Sequence, residues 1–438
     1  MAESVVTPRW DQVRRLFVPL LLTSAACAAA PESPHAAQWW KGNLHTHSLW
    51  SDGADYPEMI TAWYRDNGYH FLSLTEHDLL HEGERWLDIN EPDPGWPPRN
   101  ASARAALDGY RSRFGADWVE ERRDGARHLV RLRRLDEFRS TFERPGEFML
   151  LGGEEITDRE GAHVNAFNLH AAILPRGGAT TAERIRNNLD AVEEARRGSA
   201  RPIAAIVNHP NFVWTLTAEE IAAIPAARIV EVQSGHTMVN DEGDAVRAST
   251  ERIWDVILTL RHAAGGEPIF AVATDDAHDF RAEHDTISRP GRGWVMVRAP
   301  SLTADDIVAA LNRGDFHAST GVTLRDVATD ARRIRIAIDA QPGVTYRTQF
   351  IGTRTGVPLD SRPVLDADGT ELRTTRRYDA GVGAILAEVD GDVAEYSFRG
   401  DERYVRAKII ASVPQVDPTT GKVMAAQAAW TQPVFRRR

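Results

Sequence analysis

Eight short, β-rich apolar runs between Trp39 and about Val297 constrain this chain more than any other feature of it: "WWKGNLHTH", "HFLSLTEHD", "FMLLGGEEIT", "HVNAFNL", "PIAAIVNHP", "RIVEVQSG", "PIFAVATDDAH" and "GWVMVRA". Helical patterns separate them, and this alternation predicts a parallel α/β sheet or barrel. Between the first two runs, "DYPEMITAWYRDNGYH" sets Pro57 near a helix start, Met59, Ile60, Trp63 and Tyr64 at helical spacing, and Gly68 just past the end. That is one βαβ unit. Seven of the eight runs end in, or lead directly into, His, Asp, Glu or Gln, and strand C-terminal ends are where barrels and open α/β sheets carry their sites.

Residues 79–146, rich in Arg, Glu, Trp and Pro, interrupt the rhythm and predict a partly helical insertion, either a lid or a charged, solvated excursion. "SLTADDIVAALNR" predicts a closing helix with Ser301 or Thr303 near its cap. Over 322–438 the pattern changes to short alternating runs, "RIRIAID", "YRTQFIG", "YVRAKIIAS" and "AAWTQPVF", which predict a small β-sandwich-like domain.

The chain has 438 residues, 42% of them hydrophobic, enough for two or three domains with a sizeable core. A formal charge of −11 argues against nucleic-acid duplexes or an anionic membrane surface as the main partner. The single cysteine, Cys27, lies in the leader, so a metal in the body needs nitrogen and oxygen ligands. Residues 1–30, with a basic start and an apolar stretch from Leu16 to about Ala26, read as an export signal, which places the chain in the periplasm or outside the cell. Arg14, Arg15 and Phe17 fit the twin-arginine pattern. "SAAC" lacks the leucine that precedes a lipidated cysteine, so cleavage near Ala28 or Ala30 competes with lipidation, and no transmembrane anchor is expected in the mature chain.

Side chains at i and i+2 of a strand share a face, so His45 and His47 can address one ion, as can Asp276 and His278 in "TDDAHD". His77, His209 and Glu155 also sit at strand ends, and His163 opens a strand. Adjacent residues face opposite ways, so one of Glu154/Glu155 and one of Asp275/Asp276 points away. Glu155 and Asp276 are the expected ligands, with Asp275 the alternative. An imidazole and carboxylate set suits Zn, Mn or Fe better than Ca, Mg or Cu(I).

These motifs resemble the PHP (polymerase and histidinol phosphatase) superfamily of metal-dependent hydrolases, over roughly residues 39–320. "HTHSLWSDG", "TEHD", "EI" with His163 eight residues after Glu155, "NHP" and "DAH" stand in the family's order. The resemblance implies a distorted (β/α)7 TIM-like barrel over 31–321 with two or three divalent ions at its C-terminal face. His45, His47, Glu155 and Asp276 would hold one; Asp52, His77 and His278 a second; Glu155, His163 and His209 a third. The family usually has Asp where Glu76 precedes His77. The exported type with a C-terminal β region is most similar to the carbaryl-hydrolase-like branch.

Two metals can acidify a water and clamp a tetrahedral centre, so hydrolysis by a metal-activated hydroxide follows. His236 in "QSGH" is a candidate general acid, and Arg292, with Arg281 and Arg289, a candidate phosphate-binding cation. Trp86, Trp96 and Trp118 could instead line an apolar pocket for an aryl ester. A small-molecule phosphoester is the leading substrate class, a carbamate or carboxylic ester the alternative, and a non-catalytic binding module on a PHP-like barrel the third reading.

Overall fold

All eight apolar runs are strands in the computed structural model, which describes residues 1–2, 37–92, 98–281 and 288–435. The leader features at 14–30 and Trp96 lie outside the described residues. β1 (Gln38–Asn43) and β2 (Phe71–His77) run parallel, joined through α1 (Pro57–Asp66). Pro57 occupies the first turn of α1, where its missing N–H costs nothing, and Gly68 takes the left-handed φ of 76° that ends the unit.

The insertion contains β3 (Arg85–Asp88), α2 (Arg99–Phe114), β4 (Glu121–Asp124), β5 (Arg127–Leu132) and α3 (Leu135–Phe142). Its antiparallel β3–β5–β4 sheet was not anticipated, because "ERRD" carries no apolar alternation to announce a strand. Nor is it a solvated excursion. Leu107, Tyr110 and Val130 form one buried cluster with Leu49, Trp50 and Tyr56, which fixes the insertion against the loop that carries Asp52. Trp118 donates to Glu58 inside this packing, and Trp86 lies under the Arg122 guanidinium at 4.0 Å.

The chain continues through β6 (Met149–Asp158), β7 (Ala162–Phe167), α4 (Thr181–Arg197), β8 (Ala204–Val207), α5 (Ala218–Ala222), β9 (Ile229–Ser234), α6 (Thr250–Ala263), β10 (Phe270–Thr274), β11 (Trp294–Ala299), α7 (Ala304–Arg313) and β12 (Phe316–Ser319). Thr303, not Ser301, caps α7 by accepting from the Asp306 N–H. The sheet is mixed rather than wholly parallel. β7 is antiparallel to β6 and β8, and β11 to β1 and β12. The physical reason at β7 is length: Arg159–Gly161 is too short for a crossover, so β6 and β7 must form a hairpin. β6 and β8 therefore run the same way, and β1, β2, β6, β8, β9 and β10 all present their C-terminal ends at one edge. The closed barrel is not found as a continuous ladder. The path is open from β10 to β1, and the isolated parallel bridge Thr46↔Ala277 links the continuations of those two strands.

The last strands are β13 (Leu324–Thr329), β14 (Arg333–Ile338), β15 (Tyr346–Arg354), β16 (Ala384–Asp390), β17 (Val393–Ser397), β18 (Glu402–Val416), β19 (Val423–Thr431) and β20 (Val434–Phe435). β13–β14–β17 is a separate sheet, whose Ile336 and Tyr396 share a core with Phe350 and Ala407 of β15 and β18. These strands are not set apart from the rest, however. β19 pairs with β12, His317 opposite Thr431, so the main sheet, fourteen-stranded among the described residues, carries across residue 322. No helix among the described residues is long and apolar enough to cross a membrane.

Candidate metal centre

Where β1 ends, the Asn43 side chain accepts from the His45 N–H and the Thr46 hydroxyl, and the His47 N–H donates to the Ala277 carbonyl at 3.0 Å. This ties the first histidine pair to the Asp276/His278 segment. Gly53 is required in the following loop, since a Cβ there would meet the His47 carbonyl oxygen at 2.3 Å. Alternation along β6 sends Glu155 inward and Glu154 outward, where it accepts from the Ile173 N–H. Asp275 likewise turns away, accepting from Tyr64 and the backbone of Gly291, Arg292 and Gly293. Asp276 and His209 hold positive φ values of 46° and 22°, a conformation that non-glycine residues keep only under constraint.

All nine expected ligands converge. His45 Nε2 lies 3.3 Å from both Glu155 and Asp276, and His47 Nε2 lies 3.3 and 3.2 Å from the same two carboxylates. His77 Nδ1 and His163 Nδ1 each approach Glu155 at 3.0 Å, and His209 Nε2 at 3.5 Å. Asp52 sits 3.2 Å from His77 and 3.5 Å from His278. The donors form four overlapping groups: His47, Asp52, His77 and His278; His45, His47 and Glu155; His45, His209 and Asp276; Glu155, His163 and His209. The partition differs from the expected one, because His47 also joins the Asp52 group and Asp276 falls with His209.

The donor set fits divalent ions. Four donors held about 2.0–2.2 Å from an ion stand roughly 3.3–3.6 Å apart, which matches most of these separations. His45 Nε2 and His47 Nε2 are buried without a hydrogen bond, as lone pairs aimed at a ligand would be. The electrostatics agree. Burial pulls the His45 imidazole down, yet Asp276, Glu231 and Glu155 together hold it well above its usual value; burial lowers His47 too, but the facing Asp276 and Glu155 carboxylates bring it to about 9. Burial pushes Glu155 up, but His45, His163 and His77 hold it well below the carboxylate range. The same negative potential attracts a divalent cation.

Three supporting residues were not read from the sequence. Glu231, buried on β9, accepts from His45 Nδ1 at 2.7 Å, from Thr274 Oγ1 and from the His209 N–H, which leaves His45 Nε2 free to face the donors. A lone carboxylate inside the apolar run "RIVEV" was the available signal. Asn208 donates to Glu155 at 2.7 Å, and Ser288 holds His278 Nδ1 at 3.1 Å. Glu76, whose role the sequence left open, faces away. It accepts from the Ser48 N–H and pairs with His81; burial pushes it up, but these contacts hold it at about 2. Glu231→Ala is expected to weaken metal binding by about 10–100-fold while the fold persists, a change that metal titration reads directly.

His236 borders the cluster, its ring 5.5 Å from that of His278. Burial pushes it down to about 4 against the pull of Asp276, so the ring is neutral at pH 7. Its Nδ1 accepts from the Met238 N–H, which assigns the proton to Nε2. Arg292 is not brought into the cluster: its guanidinium donates to the Gly235 carbonyl and, at 3.0 Å, to Asp417, a partner 125 positions away in sequence. Arg281 is engaged by the Ala54 and Ser102 carbonyls, and Arg289 is buried near Asp279 and Asp417.

No family model and no curated protein matches this chain. Among the solved structures that overlap it are three at 14% identity each. A two-domain protein from Bacteroides vulgatus, described as containing a "predicted PHP-like metal-dependent phosphoesterase", overlaps 89% of this chain and 95% of its own at a TM-score of 0.37. PsfC from Pseudomonas syringae overlaps 62% and 87% at 0.32. A candidate metal-dependent phosphoesterase from Bifidobacterium adolescentis overlaps 57% and 92% at 0.26.

Proposed function

We propose that this chain is a PHP-type hydrolase of phosphoesters that works with two or three divalent ions of the Zn, Mn or Fe kind. The observation that carries the reading is the convergence of nine imidazole and carboxylate side chains at one sheet edge, with buried imidazole nitrogens that make no hydrogen bond. The reaction adds water across a P–O ester bond: the water oxygen joins phosphorus, and the alcohol leaves with a proton. Bound ions would supply Lewis acidity that acidifies water and offsets phosphoryl charge. The chain's own residues do the positioning. Glu231 and Ser288 orient His45 and His278, Asn208 holds Glu155, and the neutral His236 offers its Nε2–H at the rim. Asp52, its side chain 43% exposed, marks the open side. The fold reading belongs to the same proposal: a distorted barrel opened between β1 and β10, with the strands after 322 appended to it.

Metal-loaded protein is expected to hydrolyse p-nitrophenyl phosphate or bis-p-nitrophenyl phosphate and to lose that activity on chelation. Turnover of a naphthyl carbamate alone would overturn the phosphoester reading. Less than one equivalent of bound transition metal, with no activity after reconstitution, would favour the non-catalytic binding module.

A further inference from the structure

Tyr404, Arg406, Lys408 and Ile410 alternate along β18 and therefore share a face. α6 covers the first part of it, where Tyr404 and Arg406 bond to Asp255. Lys408 still reaches that helix, donating to Glu251 at 2.7 Å, and beyond it the face is uncovered. Lys408 lies opposite Trp430 and Ile410 opposite Ala428 on β19, whose alternate residues Met424, Ala426, Ala428 and Trp430 complete it. This face and the loop after β9 border an open-sided cavity of about 530 Å³, within the roughly 300–1,000 Å³ of small-molecule sites. Alanines at 426 and 428 leave that space empty where larger side chains would fill it. His236 lines the cavity at its other side and stands one ring away from His278. His236 therefore stands between the cavity and the donor cluster.

Trp430 lines this cavity, is 5% exposed, and has a buried Nε1 without a hydrogen-bond partner. A buried indole N–H normally has one. The Lys408 ammonium lies over the indole at 5.6 Å, and Trp430 stands in a wall with Met424, Ile410 and Ala428, across from His236. From this we infer that the cavity receives the organic group of the substrate, and that this group is aryl or heteroaryl. The appended strands thus set which ester is cleaved, while the strand ends of the main sheet carry the chemistry. This rests on the phosphoester reading only for the identity of the bond broken.

Ala426 is exposed within the cavity and Thr237 is exposed on the facing loop, so A426W and T237W fill it from opposite walls without disturbing a core. Titration calorimetry of 1-naphthol into the full chain is expected to show binding that each variant weakens at least tenfold. The KM ratio of 1-naphthyl phosphate to methyl phosphate is expected to rise by a similar factor. Naphthol binding lost in both variants, in a protein that turns over no phosphoester, would sustain the cavity and overturn the reaction. Naphthol affinity unchanged in both variants would overturn the inference whatever the activity.

Discussion

Replacing Glu155 with glutamine is expected to give a folded protein that has lost its bound metal and its hydrolytic activity together. Five imidazoles, those of His45, His47, His77, His163 and His209, approach this one carboxylate within 3.5 Å. Two of the four donor groups include it. Glutamine keeps the size and an oxygen for Asn208, so the packing has no reason to fail. What it removes is the negative charge that holds the surrounding imidazoles, and with them any divalent ion, in place. The loss of metal affinity should exceed the roughly 10–100-fold typical of an outer partner such as Glu231. His47→Ala, which removes a donor shared by two groups, is expected to behave alike. Metal content by elemental analysis and turnover on the same samples check both variants. Wild-type metal stoichiometry and rate in E155Q would refute the assignment of the centre.

What the sequence made legible here was periodic and local. His45 with His47 could be paired because a strand repeats every two residues, and the same alternation separated Glu155 from Glu154; Asp276 and His278, paired on the same ground, fall in different donor groups, since β10 ends at Thr274 and Asp276 takes a left-handed φ of 46°. What it hid was long-range. Arg292 follows the last ligand motif closely enough to suggest a phosphate contact, but its guanidinium is claimed by Asp417, and nothing near position 292 announces that partner. Glu231 showed only as a single carboxylate in an apolar strand, with no hint of the imidazole it would meet across the sheet. The direction of β7 was readable in principle, since three residues between strands permit only a hairpin. A βαβ rhythm before and after that point masked it. The late strands were legible as strands; their attachment to β12 was not, because pairing register lies outside local pattern.

That attachment should be the more fragile part of the fold, and removing Arg406 tests it. Arg406 is fully buried on β18; its Nε and Nη2 reach the two Asp255 oxygens at 2.8 and 2.7 Å, and Nη2 also reaches Glu251 at 3.0 Å. Both acids lie on α6, and Trp254 of that helix faces the guanidinium at 4.6 Å. R406A is expected to lower the unfolding free energy by about 3–5 kcal/mol, because the Asp255 charge stays buried with the Tyr404 hydroxyl as its chief remaining partner. Urea unfolding at pH 7 measures the difference. Acid supplies the second half of the test. Burial pushes Glu251 up, but Arg406 and Lys408 outweigh it and hold it at about 2, below its ordinary 4.5. A folded-state value below the unfolded one means that the stabilisation is complete above about pH 4.5 and drains away as pH falls through 2. In R406A much of that depression is gone, so the gap in stability between the two proteins should narrow across this window. Equal stabilities at pH 7, or a gap that stays constant down to pH 2, would show that the Arg406 cluster does not hold the late strands to α6.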